Sequence, residues 1–171
     1  MGTLPGLLRG REGESNMKQS PADAKVLERM APGVLCRDGF LGGDARSPGE
    51  IIAADAAAIE DLGLTHGRVA DRLKGILDAA MSRQGAPVAA GEGLTAVYRE
   101  SMGRIPSPWP GEGVFPKGEV ELTWTPPDGP ARTLRFTPLS VHLIRRHGFY
   151  QGCGSRYRLE LPDLAAALFR E

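Results

Sequence analysis

Three observations predict an α+β fold. Apolar residues recur at helical spacing through residues 47–83 and at strand spacing through residues 119–136. Helix-opening signals then return at Thr137-Pro138 and Pro162. Helices first, then strands mixed with helices, describe an N-terminal helical hairpin packed with a small, mainly antiparallel sheet of about four strands and two further helices. At about 100–200 residues per domain, 171 residues make one domain. A chain of this size buries about two-thirds of its unfolded surface, enough for a core without disulfides.

The elements follow in order. Residues 1–16 carry Gly2, Gly6, Gly10 and Gly13 without periodicity and read as a disordered leader, leaving 17–171 as the domain. Ser20 is an N-cap before Pro21, opening a helix through Val26, Leu27 and Met30 that Pro32-Gly33 stops. After the Gly-rich run 39–43, Ser47-Pro48-Gly49-Glu50 has the form of a capping box. The helix it opens presents Ile52, Ala56 and Ile59 as its apolar face and ends at Gly63. Thr65 caps the next helix, whose stripe is Val69, Leu73, Ile76, Leu77, Ala80 and Met81.

Beyond Gly85 the period falls to two. Residues 94–102 read as a strand, and Val120, Leu122 and Trp124 alternate with polar neighbours, as do Leu134 and Phe136. Pairing positions whose numbers sum to 256 sets Leu122 against Leu134 and Val120 against Phe136 on one face. The same register sets Glu121 against Arg135 on the other face, so both faces agree. Thr137 caps a helix through Leu143 and Ile144 to Gly148. Tyr157, Leu159 and Leu161 alternate as a last strand, and Pro162 opens a terminal helix.

Composition excludes several classes. The 41% hydrophobic content argues against wholesale disorder, and no apolar run approaches the roughly 18 residues of a membrane span. Two cysteines are too few for a disulfide scaffold, which fits a reducing cytoplasm. The 21 basic and 21 acidic residues cancel, but residues 130–171 hold seven arginines against Glu160, Asp163 and Glu171, a local excess of +4.

That excess centres on the Gly-rich run 147–158. Its glycines allow close backbone approach, and His147, Tyr150, Gln151, Ser155, Arg156 and Arg158 form the expected ligand-binding set. The expected function is a binding module for a small anionic ligand or an acidic partner segment, recognised by an exposed, convergent arginine pair. One alternative is a small enzyme using His142 or His147 as acid or base in the same cleft. Another is a dimeric helix-turn-helix regulator reading DNA through Arg68, Arg72 and Lys74, although Asp71 and Asp78 interrupt that surface and make nucleic acid a poor partner. A homo-oligomer is compatible with the first and third readings.

No metal site is expected. Cys36, His142, His147 and Cys153 are the right residue types, but two histidines five apart on a helix sit about 140° around its axis from each other. No Walker, dinucleotide or nucleophile-elbow motif is present, so no cofactor is implied. The Pro/Gly-rich run 104–118 is long for a structureless loop, and Trp109 within it is expected to serve as a lid over a pocket or a plug into the core.

Overall fold

The computed structural model describes residues 20–170. The expected leader, residues 1–16, lies outside them. The element order is α1 (Pro21–Arg29), α2 (Pro48–Asp61), α3 (His66–Met81), β1 (Val88–Gly91), β2 (Leu94–Arg99), β3 (Arg104–Pro106), β4 (Val114–Pro116), β5 (Glu119–Trp124), β6 (Arg132–Phe136), α4 (Pro138–His147) and α5 (Leu161–Leu168). The fold is α+β. An antiparallel sheet of order β1-β2-β5-β6 forms its main layer, and β3 and β4 make a separate two-stranded hairpin. Among the described residues no helix is long and apolar enough to cross a membrane.

Local chemistry sets the helix starts as the sequence indicates. The side chains of Ser20, Ser47, Thr65 and Thr137 accept from the backbone N–H three residues on, and Ser47 and Thr137 complete reciprocal capping boxes with Glu50 and Ser140. The β5–β6 register has Leu122 opposite Leu134, Val120 opposite Phe136 and Glu121 opposite Arg135. Arg135 Nη2 lies 3.5 Å from Glu121 Oε2, so it is a cross-strand ion-pair member.

Two apolar clusters form the core, and α4 lies between them. Val141 and Ile144 join the first, with α3, α5 and the inner sheet face of Leu94, Ala96, Tyr98, Val120, Leu122, Trp124, Leu134 and Phe136. Leu139 and Leu143 join the second, with Val26, Met30, Phe40, Ile51 and Phe149. The hairpin β3–β4 covers that second cluster through Ile105, Trp109 and Phe115. The turn 62–65 joins α2 to α3, after which α3 packs on α4 and the β1–β2 edge while α2 meets α5.

Three expectations are corrected. Of the expected α2 face Ile59 is buried, but Ile51 and Asp55 take the buried places expected of Ile52 and Ala56, because a carboxylate occupies the centre of the face. Tyr157, Leu159 and Leu161 form no strand. The segment turns between Ser155 and Arg158, and the Arg158 side chain is buried along with Leu159 and Leu161, which breaks the alternation at position 158. The run 104–118 is not structureless: its ends pair as β3 and β4, with Ile105 opposite Phe115.

Candidate functional site

The hairpin β3–β4 brings Glu112 against the C-terminal half of α4. There His142 Nε2 is 2.7 Å from Glu112 Oε2, and His147 Nε2 is 2.8 and 3.0 Å from Oε1 and Oε2. One ligand atom from each of the three residues lies within 4.8 Å of the others. An ionised carboxylate only accepts, so both imidazoles present Nε2–H to it. Burial pushes the Glu112 carboxyl up, but the hydrogen bonds from His147 and His142 outweigh this and hold it below its ordinary value. The three side chains are 18–23% exposed, so the cluster stays open to solvent on one side.

Each member is held in place by a neighbour. The Trp109 indole stacks on the His147 ring at 3.8 Å between centroids and 11° between planes, and its edge meets Phe149 at 5.6 Å. Trp109 is therefore both cover and plug: one side sits on the site and the other on the second core cluster. Phe115 tilts against His142 at 4.8 Å. Ser107, 1% exposed, donates from Oγ to Glu112 Oε2 at 3.4 Å and accepts from the Trp109 N–H at 3.1 Å. Arg29 on α1 fixes the same loop, donating to the carbonyls of Pro108 at 2.9 Å and Ser107 at 2.7 Å.

This convergence corrects the angular argument against a shared histidine site. The two rings lie 6.5 Å apart and nearly perpendicular, on flanking sides of the helix, and the carboxylate enters between them from another element. An imidazole reaches far enough from the axis for rotamers to close the gap when the third group comes to meet them. Gly148 ends α4 in the left-handed region at φ +62°, which leaves His147 on the last helical turn beside the loop. The two cysteines take no part. Cys36 Sγ contacts the Gly39 carbonyl, and Cys153 is exposed beside Arg46. Sequence reasoning missed Glu112, although it is the only acidic residue in the Pro/Gly-rich run 104–118.

The rest of the expected ligand-binding set is distributed differently. Tyr150 is 1% exposed, its hydroxyl 2.9 Å from His66 Nδ1, and burial raises its phenol pKa. Arg158 reaches inward and pairs bidentately with Asp55, Nη1 to Oδ2 at 2.5 Å and Nη2 to Oδ1 at 2.9 Å. Its Nη1 also donates to the Gln151 carbonyl at 3.0 Å. Arg156 pairs with Glu119 at 2.8 Å. The exposed, convergent arginine pair expected beside the loop is absent among the described residues, because acids distant in sequence reach both guanidinium groups. Gln151 is 3% exposed at φ +69°, a left-handed conformation costing a non-glycine residue about 1–2 kcal/mol. Ser155 Oγ donates to its side-chain oxygen at 2.5 Å.

The basic residues of α3 are similarly engaged. Arg72 donates to the Ala90 carbonyl at 2.6 Å, Lys74 pairs with Asp78, and Arg68 lies 5.4 Å from the centre of the Phe169 ring. Asp71 on the same helix bonds Arg145 at 2.7 Å. The acids Asp71 and Asp78 thus stand among these basic residues on α3.

No protein-family model, curated protein or solved structure matches this chain.

Proposed function

We propose that this protein binds a divalent first-row transition metal, with zinc as the expected ion, through Glu112, His142 and His147. The observation that carries the reading is the convergence of two imidazoles and one carboxylate, one ligand atom from each lying within 4.8 Å of the others. Imidazole and carboxylate suit zinc, and three protein ligands with an open side are the donor set of catalytic rather than structural sites. Tetrahedral zinc with bonds of about 2.0–2.2 Å spaces its ligands about 3.3 Å apart. The Nε2–oxygen distances of 2.7–3.0 Å need to open by only a few tenths of an ångström, with both Nε2 protons displaced. Ser107 and Trp109 are the groups that would orient the ligands, as outer-shell partners do in zinc sites. A metal held this way would supply Lewis-acid chemistry at neutral pH. This keeps the enzyme alternative and gives His142 and His147 the role of ligands rather than acid and base.

The test is calorimetric titration of the chelator-treated full chain with zinc, repeated with His142→Gln and Glu112→Gln. Cobalt, which reports its ligands by visible absorption, serves as a second probe. The expected result is one ion per chain, with affinity falling at least about a hundredfold in each variant, more than outer-shell changes cost. Absence of binding by the wild-type chain, or undiminished binding by both variants, overturns the reading. The cluster would then be a polar clasp holding the hairpin to α4.

A further inference from the structure

We infer that a second site, independent of the metal cluster, receives a small organic molecule with an acidic oxyanion head and an apolar body. A cavity of about 360 Å³ lies between the loop after α1, the base of the β3–β4 hairpin, the start of α4 and the loop 151–157. This volume is within the range of small-molecule pockets, roughly 300–1,000 Å³. None of Glu112, His142, His147 and Trp109 lines it.

The lining has two characters. Phe40, Ile105 and Leu139 supply an apolar wall. Arg37, Lys117 and Arg156 bring three cations against Asp38. Arg156 is already neutralised by Glu119, but among the described residues neither Arg37 nor Lys117 has an ion-pair partner. The cavity therefore keeps one positive charge in excess: two free cations against one acid. An oxyanion is the complement of that charge, and Arg37 is suited to receive it through two parallel hydrogen bonds.

Gln151 is the second, independent observation. It is almost fully buried, lines the cavity, and stands in a left-handed conformation that its side chain disfavours. Strain of this kind persists where the surroundings over-determine it, and here they do. Arg158 holds the Gln151 carbonyl, and Ser155 holds its side-chain oxygen. With the oxygen committed, the amide nitrogen has no protein partner among the described residues and remains available as a donor to a molecule in the cavity that Gln151 lines. Four of the six residues expected from sequence to touch an anion thus divide into two roles. Gln151 and Arg156 line the cavity, while Ser155 and Arg158 position Gln151.

The acidic head is a carboxylate or a phosphate, and the test separates them. Benzoate and phenyl phosphate are titrated into the full chain by two-dimensional amide NMR, with benzamide as the neutral isostere. One or both acids should shift amides around Gln151 and Arg37 saturably, and the stronger of the two names the head group. Benzamide should shift nothing. Arg37→Gln with Lys117→Gln should weaken binding at least about tenfold, the worth of a charge-assisted hydrogen bond. Gln151→Gly suits the left-handed backbone and removes the amide donor together with the oxygen that Ser155 holds, so it should fold, weaken the acid and leave zinc binding intact. His142→Gln should leave acid binding intact, so the two proposals fail separately. Binding of benzamide as tight as that of benzoate, or undiminished acid binding by the double variant, refutes the inference. Failure of both acids to shift any cavity amide does the same.

Discussion

Removing the Arg158 guanidinium should be among the most destabilising single changes in this protein. The Arg158 side chain is 8% exposed and that of Asp55 is 6%, so Arg158→Met leaves a desolvated carboxylate facing an apolar thioether. Breaking a buried pair from one side costs about 3–5 kcal/mol, a large share of a typical stability of about 5–15 kcal/mol. The Gln151 carbonyl loses its Nη1 donor as well. For a domain of this size the pair term alone corresponds to a fall in Tm of about 6–20 °C, at roughly 2–4 °C per kcal/mol. Replacing both partners, Asp55→Val with Arg158→Met, removes the orphaned charge. It should recover most of the loss, leaving a deficit of about 1–3 kcal/mol for the unpaired carbonyl. Urea unfolding followed by far-ultraviolet circular dichroism measures all three proteins. A cost below about 1 kcal/mol for Arg158→Met, or a double variant no more stable than the single one, refutes the reasoning.

Other expected outcomes test separate parts of the structure. An added Cβ at Gly148, φ +62°, would lie 2.5 Å from His66 Nε2, whereas at Gly63, φ +69°, it would meet nothing within 4 Å. Denaturant unfolding should therefore show a backbone cost of about 1–2 kcal/mol for Gly63→Ala and a distinctly larger one for Gly148→Ala. Burial lowers the pKa of His66 below 6.5, with Asp55 opposing weakly, so the unfolded chain takes up a proton before the folded one does. Its contribution to stability is complete above about pH 6.5 and declines as pH falls from there toward its folded pKa, and the Tm of His66→Gln should fall less than that of the wild type between those limits. Ser107→Ala removes the group that orients both Glu112 and Trp109 and should weaken zinc binding about 10–100-fold in the same calorimetric titration. Phe136→Ala empties a fully buried position on the inner sheet face and should cost about 3–5 kcal/mol in urea unfolding.

Much of the architecture is legible because it depends on neighbours. Ser47 and Glu50 are three apart, as are Thr137 and Ser140, so a capping box can be read from a single short window. The β5–β6 register follows because a one-residue slip of β6 would turn Leu134 outward and Arg135 into the core, away from their partners Leu122 and Glu121. Periodicity fails where a polar residue takes a core position. The apolar spacing of Ile52, Ala56 and Ile59 passes over Asp55, and nothing within α2 says that a guanidinium 103 positions later will meet it.

The candidate metal site shows the same boundary. The sequence by itself determined the α+β class, the caps, the antiparallel pairing of 119–136, and the concentration of imidazole and arginine near the end of α4. Only the tertiary structure decided that Glu112, 30 and 35 positions before the two histidines, would be carried by a hairpin into their reach. It also decided that acids distant in sequence would take up Arg156 and Arg158. Local preference acts over a turn of helix or a strand pair, whereas these contacts depend on how whole elements pack. Spacing along α4 therefore could not reveal a partner that arrives from another part of the chain.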